Sequence, residues 1–386
     1  MIHVPRKAAV ATAALSAVLI ALTGCSSAQG GGAPADSSGG TTDAGAIAAA
    51  QEQVEKYSGI VDGFMPTDPL SDPSALSGKS VVDIPAVAQL PFFATSYEAV
   101  KAAFAEVGMK ADICDGAANP ATTSACLDQA LNSGAAGVIM DAISPEIAQE
   151  SFDKVVASGM PVVLGNIPTP AGSPDNVATV GPDTTLAVSL AADAVIVDSE
   201  GAANVVTVRF IDSPVTEEWH DNGALPAFAD SCPGCKVTTV DIKTPDMASL
   251  PAKIAAKLLA DPSVDYLLPS LAPAVVSTTQ GATDAGREGM PLASTATTVS
   301  DLQQIAAEGG LFASVGWDVV RTSWYEADVV MRKILGQDVD ATQYVSPVRV
   351  FTADNIGDLD VSQAGWDSSN WFGGAGYQDE FRALWK

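Results

Sequence analysis

Basic residues, histidine and catalytic signatures are all scarce in this chain of 386 residues. It contains 19 lysines and arginines against 46 acidic residues, a formal net charge of −27, and only two histidines. A surface of that sign repels phosphate backbones, so nucleic acid is not expected as a partner. The chain has no Gly-x-Ser-x-Gly, no His-Glu-x-x-His and no Gly-x-x-x-x-Gly-Lys sequence, and no metal or other cofactor is predicted.

The shortage of histidine narrows the possible enzymes. One histidine, His3, lies in the N-terminal leader described below, so a Ser/His/Asp triad would have to use His220, with Asp212 and Ser213 nearby. Carboxylates are plentiful, and a glycosidase-type pair stays open. We predict a protein that is not an enzyme, with a hydrolase as the less favoured alternative.

Only one apolar run is long, and it lies at the N-terminus. Arg6 and Lys7 precede the small and apolar stretch 8–22, which is too short for a comfortable membrane span and predicts a signal peptide over residues 1–24. The sequence Leu22-Thr23-Gly24-Cys25 resembles a bacterial lipobox, which implies cleavage before Cys25 and a lipid on its sulfur. An ordinary signal peptide with an incidental cysteine is the alternative.

Residues 25–77 precede the first predicted lobe. They comprise a flexible tether of Gly, Ser, Ala and Thr with almost no apolar bulk (26–45), a predicted helix (46–57) and a Pro/Ser/Asp connector (63–77). The whole chain is 47% hydrophobic and 17% charged, which is typical of a globular protein. We therefore expect an extracytoplasmic domain anchored to the cell membrane by the lipid on Cys25.

Four cysteines remain besides Cys25. An even number in an exported chain predicts disulfides. Three connectivities are possible, and we prefer the pairing of sequence neighbours, Cys114 with Cys126 and Cys232 with Cys235. The Cys232-Pro233-Gly234-Cys235 sequence also fits a redox-active pair or half of a zinc site, but no second pair has zinc-finger spacing.

From Gly78 onward, short apolar segments alternate with helical patterns. The first unit is a strand over Val81–Ala88, a loop at Leu90-Pro91-Phe92-Phe93, and a helix from Ser96 that ends at Gly108. The alternation pauses at Gly181-Pro182 and then begins again. This pattern predicts an α/β fold with two doubly wound parallel-sheet lobes and a cleft between them.

Three crossings are expected to form the hinge between the lobes, near 181–182, 317–318 and 344–347. The predicted boundaries are residues 78–181 for lobe 1, completed by about 318–346, and residues 182–317 for lobe 2, completed by about 347–386.

The order of these segments resembles the type I periplasmic binding proteins of ABC importers, in the sugar-binding branch that includes ribose-binding proteins. The resemblance covers Gly78–Gly336, and the cysteine pairs look like those of an exported subset of the family. It is carried by Leu90-Pro91-Phe92-Phe93, Gly137-Val138-Ile139-Met140-Asp141, Gly159-Met160-Pro161-Val162-Val163, Val264-Asp265-Tyr266 and Leu311-Phe312-Ala313-Ser314-Val315 before Trp317.

The resemblance implies a monomer that captures a sugar or sugar-like molecule between its lobes. The protein would close over the ligand and deliver it to an ABC permease with a cytoplasmic ATPase. The alternative is a sensor subunit that presents the ligand to a membrane receptor. Transcriptional repressors share the fold, but the lipobox argues against a location in the cytoplasm.

The resemblance also assigns candidate ligand-binding residues. Two arginines of the family fall at Ile167 and near His220, and the final position, usually Gln, falls at Trp317. These departures predict a ligand that is less hydroxylated or more hydrophobic than a free pentose, with Asp141 accepting two hydroxyls or pairing with a cation. A structural role remains the alternative for several of these residues. The aromatics would then pack in the core, and Asp141 would cap a helix. Asn166 would form a turn, and His220 would be buried and hydrogen-bonded. The candidates are Phe92, Phe93, Asp141, Asn166, His220, Met247, Ser270, Thr295 and Trp317.

Overall fold

The computed structural model describes residues 44–168, 170, 172–211 and 214–386. The predicted signal peptide, Cys25, nearly all of the predicted tether, and the pair Asp212 and Ser213 lie outside the described residues.

Twelve strands form two six-stranded sheets, one in each lobe. Lobe 1 contains β1 (Ser80–Pro85), β2 (Lys110–Ile113), β3 (Gly137–Asp141), β4 (Val162–Gly165), β5 (Val177–Pro182) and, late in the chain, β11 (Val345–Ser346). Lobe 2 contains β6 (Asn204–Phe210), β7 (Lys236–Ile242), β8 (Tyr266–Pro269), β9 (Leu292–Thr295), β10 (Leu311–Trp317) and β12 (Val348–Thr352).

Helices cover both faces of the sheets, and short 3-10 turns and a π-helical turn at His220–Ala224 lie between some of them. The α-helices in the described residues are α1 (Ala44–Ser58), α2 (Pro91–Ala105), α3 (Pro120–Ser133), α4 (Gln149–Ala157), α5 (Thr184–Asp198), α6 (Pro214–Trp219), α7 (Leu225–Ser231), α8 (Leu250–Ala260), α9 (Val275–Asp284), α10 (Val299–Ala306), α11 (Val319–Ile334), α12 (Gln363–Asp367) and α13 (Tyr377–Leu384).

The two sheets share one topology. Their strand orders are β11-β5-β4-β3-β1-β2 and β12-β10-β9-β8-β6-β7, and every pairing is parallel except β10 with β12. In both lobes the strand order reverses beside the first strand, β1 or β6. Ligands of such sheets bind at the carboxyl ends of the strands near this reversal. The predicted fold of two doubly wound lobes is confirmed.

Burial on both sheet faces explains the apolar strands. All residues of β3 and β4 are buried, as expected for parallel strands covered by helices on both sides. The first unit differs from the prediction at its loop, because β1 ends at Pro85 and α2 already begins at Pro91. Proline suits the first helical position, where its missing N–H costs no hydrogen bond. Phe92 and Phe93 therefore lie on the first turn of α2 instead of in a loop.

The chain passes between the lobes at each predicted crossing, and its terminal segments cross as well. Ala50 of α1 packs in the lobe 2 core, whereas Leu76 packs in the lobe 1 core. Trp371 packs in lobe 2, whereas Phe381 and Trp385 pack in lobe 1. The prediction assigned residues 347–386 to lobe 2, but the aromatic side chains of α13 belong to the lobe 1 core. They stack there on Trp324 of α11.

Two disulfides join the cysteines as preferred from the sequence, Cys114 with Cys126 and Cys232 with Cys235. In the described part of the chain, no cluster of three or more His, Cys, Asp or Glu is arranged to hold a metal ion. No helix there has both the length and the apolar character needed to cross a membrane.

Candidate functional site

A cavity of about 300 Å³ lies between the lobes, at the carboxyl ends of the strands. Both lobes contribute to its wall, which is where the topology places a ligand. Lobe 1 contributes Leu90, Pro91, Phe92, Phe93, Ala142 and Asn166. Lobe 2, including the end of β10, contributes Trp219, Leu271, Ala272, Pro273, Val276, Ala296, Thr298, Ser300, Asp301 and Trp317.

Three aromatic rings form a continuous side of the cavity. Phe92 and Phe93 meet edge to face with their ring centroids 5.1 Å apart, and Phe92 meets Trp317 with centroids 5.9 Å apart. Edge-to-face contact is a favoured geometry for aromatic pairs. Phe92 belongs to lobe 1 and Trp317 ends the last parallel strand of lobe 2, so the two lobes meet through this pair.

Asn166 is the polar residue of the lobe 1 wall. It follows β4 with a φ of 55°, a left-handed conformation that asparagine tolerates better than most residues. Its Nδ2 donates a hydrogen bond to Oδ1 of Asp141 at 2.7 Å. Its Oδ1 is buried and has no partner among the described residues. Asn166 therefore lines the cavity and carries an acceptor that no described residue satisfies.

Asp141 lies behind Asn166 and does not line the cavity. Its side chain accepts hydrogen bonds from Asn166 and from Ser96, whose Oγ is 3.1 Å from Oδ2. Burial raises the pKa of Asp141 to about 6, although both hydrogen bonds lower it. Because the carboxylate faces these donors, its role in this structure is to orient Asn166. The next residue, Ala142, is the one that reaches the cavity.

Trp219, at the end of α6, is a wall residue that the sequence analysis missed. The analysis assigned the position to His220, whose side chain is fully buried and points away from the cavity. Its Nε2 lies 2.8 Å from Oγ1 of Thr207, its Nδ1 lies 2.8 Å from a carboxylate oxygen of Asp221, and burial lowers its pKa. His220 is thus a hydrogen-bonded core histidine, and its neighbour is the residue that faces the cavity.

Three further candidates lie outside the cavity. Ser270 donates to the carbonyl oxygen of Val208 at 2.8 Å, and Thr295 donates to the carbonyl oxygen of Ser270, so both hydroxyls join neighbouring strand ends. Met247 is half-buried against the lobe 2 core.

The displaced candidates follow a common pattern. Ala142, Trp219, Leu271 and Ala296 line the cavity, and each is one residue away from a predicted residue. Adjacent side chains point in different directions, both on a strand and on a helix such as α6, which ends at Trp219. A shift of one residue in the alignment therefore exchanges a cavity residue for a packed one.

The remaining polar residues of the cavity wall are either uncharged or already hydrogen-bonded within the protein. The carboxylate of Asp301 accepts hydrogen bonds from the backbone N–H and the hydroxyl of Thr298, which closes the capping box of α10. Among the described residues, no lysine, arginine or histidine lines the cavity. The other polar wall residues are Asn166 and Ser300.

A sequence model of the periplasmic binding protein domain matches residues 81–338. The chain belongs to the type I periplasmic binding protein family. Comparison with curated proteins found no match.

Solved structures with the fold of this binding protein include several sugar-binding relatives. A 5-methylthioribose transporter solute-binding protein from Thermotoga lettingae, in complex with 5-methylthioribose, is 16% identical with a TM-score of 0.69, covering 83% of this chain and 99% of that one. A Bacillus halodurans solute-binding protein with bound myo-inositol is 16% identical (TM-score 0.64; coverage 73% and 96%). A Burkholderia graminis protein in complex with D-arabinose is 19% identical (TM-score 0.64; coverage 74% and 98%). At these identities the likeness establishes the fold.

In this binding protein, the positions assigned to the family arginines hold side chains that cannot bind a ligand in the cavity. Ile167 is 7% exposed and packs in the lobe 1 core, and the two ring nitrogens of His220 are hydrogen-bonded to Thr207 and Asp221. The cavity accordingly lacks the charged donors that hold sugar hydroxyls most strongly.

Proposed function

We propose that this chain is an extracytoplasmic solute-binding protein that captures a small sugar-like molecule in the cavity and delivers it to an ABC permease. The observation that carries the proposal is the cavity itself, which both lobes line at the carboxyl ends of their strands. The neighbours bound to 5-methylthioribose, myo-inositol and D-arabinose support a ligand of this size and class. The role is binding without catalysis.

Ligand capture would work by hinge closure. The lobes rotate as rigid bodies about the crossings at 182–184, 317–319 and 346–348, where the backbone absorbs the change. A ligand that touches Asn166 on one wall and Trp219 on the other makes both contacts only when the lobes are closed. Such contacts shift the population toward the closed form, which is the form that a permease would recognise.

The anchor forms part of the same proposal. Processing before Cys25 and lipidation of its sulfur would hold the mature protein at the outer face of the cell membrane, with the tether leaving the binding lobes free to reach the permease. The proposed ligand-contacting residues are Phe92, Phe93, Asn166, Trp219 and Trp317.

Isothermal titration calorimetry tests the function directly. We would titrate the purified chain lacking residues 1–25 with a panel of pentoses, hexoses, inositols, deoxy sugars and thioether sugars. A saturable, one-to-one heat with at least one of them, lost in Trp317→Ala, is the expected result. If the folded protein gives no heat with the entire panel, a sugar-like cargo is ruled out.

A further inference from the structure

We propose that the cavity selects an uncharged ring compound with few hydroxyls and an apolar substituent, such as a deoxy or thioether sugar, in preference to a fully hydroxylated sugar. This inference rests on the proposed function and specifies the ligand class of the same site.

The composition of the wall is the first argument. Of the sixteen residues that line the cavity, twelve are apolar and none is basic. The one acid, Asp301, is 2% exposed and already accepts two hydrogen bonds from Thr298. A buried hydroxyl without a partner is costly. A free pentose or hexose would leave several of its hydroxyls unpaired against this wall.

The polar atoms that remain unpaired are the second argument. Oδ1 of Asn166, Nε1 of Trp219 and Nε1 of Trp317 are all buried and have no hydrogen-bond partner among the described residues. The three side chains are only 4–6% exposed. An indole N–H is solely a donor and an amide oxygen is solely an acceptor. A matching ligand therefore offers one donor to Asn166 and two acceptors to the tryptophans.

The position of the exposed apolar residues is the third argument. Leu90 of lobe 1 and Val276 of lobe 2 line the cavity, yet they are 38% and 66% exposed. Grouped exposed apolar side chains at a groove commonly mark a binding surface. These two side chains would cover an apolar substituent of a ligand whose ring contacts Phe92 and Trp317.

The size of the cavity limits the ligand to one ring with a short substituent. A volume of about 300 Å³ lies at the lower end of the range for small-molecule sites. A disaccharide or a nucleotide would exceed this space, and a nucleotide would also require cationic side chains that the wall does not provide.

A matched ligand pair tests the inference. In its furanose form D-ribose has the ring of 5-methylthioribose, and the two differ at C5, where a methylthio group replaces the hydroxyl. Calorimetry on the chain lacking residues 1–25 should give a dissociation constant at least about tenfold lower for the thioether sugar. Equal or tighter binding of D-ribose would overturn the ligand class and leave the proposed function standing. Absence of binding to either sugar, and to the panel above, would overturn the proposed function.

Two conservative variants test the hydrogen-bond assignment. Trp219→Phe and Trp317→Phe keep an aromatic ring and remove the N–H donor, and each should weaken binding of the thioether sugar by roughly 3- to 10-fold. Trp366→Phe is the matched control, because Nε1 of Trp366 is also buried without a partner but lies outside the cavity. If the control weakens binding as much as the other two, or if none of the three changes it, the donors do not contact the ligand.

Discussion

The two walls of the cavity are supported by different chemistry. Behind Asn166 in lobe 1, Asp141, Asp83 and Glu326 are all at least 97% buried, and no basic side chain in the described part of the chain forms an ion pair with them. Behind Trp219 in lobe 2, the carboxylates of Asp221 and Asp241 both contact Arg209, at 2.9 Å. The lobe 1 carboxyls have pKa values raised by burial, most strongly in Asp83 and Glu326, where neighbouring carboxyls add to the effect.

This difference indicates which interactions each lobe contributes to ligand binding. Lobe 1 positions a single amide through a chain of hydrogen bonds that runs from Asn166 through Asp141 and Ser96 to Ser323 on α11. Both lobes also contribute aromatic surface, Phe92 and Phe93 from lobe 1 and Trp219 and Trp317 from lobe 2. We therefore expect pH to act chiefly through lobe 1, whereas truncation of an aromatic side chain should weaken binding on either wall.

The first prediction has the largest expected effect and compares one substitution in each wall of the cavity. Trp219→Ala removes a large apolar contact and a donor, and should weaken ligand binding about a hundredfold or more. Asn166→Ala removes one acceptor and should weaken it about tenfold. Calorimetry with the best ligand of the panel measures both. The same loss from both substitutions would contradict the division of roles.

The second prediction concerns pH and lobe 1. The pKa of Asp141 is raised to about 6 from about 3.9 in the unfolded chain. The native state thus holds this proton more tightly, and the stabilisation is complete below pH 4 and is lost as the pH rises to 6. Asp141→Asn should gain stability relative to wild type by roughly 2–3 kcal/mol between pH 4 and pH 7.

Urea unfolding across that pH range provides the measurement. Burial lowers the pKa of His220, so its contribution has the opposite sign and is lost as the pH falls. Because His220 is present in both proteins, its contribution cancels in the difference in unfolding free energy between wild type and Asp141→Asn. Asp112→Asn, an exposed change on the edge strand β2 of the same sheet, is the control and should not alter the profile. A parallel pair of curves for wild type and Asp141→Asn would refute the assignment.

The third prediction tests whether the unpaired lobe 1 carboxyls are costly. Both carboxyl oxygens of Glu326 are buried and have no partner among the described residues. Glu326→Met keeps a similar volume and removes the polar group, so it should raise the unfolding free energy at pH 8 by about 1–2 kcal/mol. Glu326→Gln retains an unpaired polar group and should gain less. A loss of stability in the methionine variant would show that the carboxyl is needed for packing or for a bond formed in another state.

The smallest effect is expected where the lobes touch outside the cavity. Nε2 of Gln363 on α12 donates to Oγ1 of Thr95 on α2 at 3.0 Å, which links a helix next to the lobe 2 core with a lobe 1 helix. A double-mutant cycle of Thr95→Val and Gln363→Leu should give a coupling of about 0.5–1 kcal/mol in unfolding free energy. Strict additivity would mean that this contact does not hold the lobes together.

Much of the molecule was predictable because its signals are local. Apolar runs of four or five residues, as in β3 and β4, followed by helical spacing, predict strands and helices without any knowledge of contacts. Gly134, with a φ of 69°, is the left-handed residue that ends α3, a position that favours glycine. The start of α2 was less predictable, since Pro91 suits both a loop and a first helical turn.

The cavity wall was predictable only in part. Phe92, Phe93, Asn166 and Trp317 line it as predicted, whereas Trp219 carried no signal that distinguishes a wall tryptophan from the core tryptophans Trp324 and Trp371. His220 was selected because a family arginine falls near it, and the residue that lines the cavity is its neighbour Trp219.

The sequence by itself determined the family, the two-lobed α/β fold and the scarcity of charged partners for a ligand. The fold follows from periodicities that each segment carries alone, whereas the family and the missing arginines follow from the resemblance of the motifs. Only the tertiary structure decided which residue at each strand end faces the cavity and which polar atoms there stay unpaired. The physical reason is that adjacent side chains point in different directions on a strand and on a helix, so one residue along the chain separates a cavity residue from a packed one.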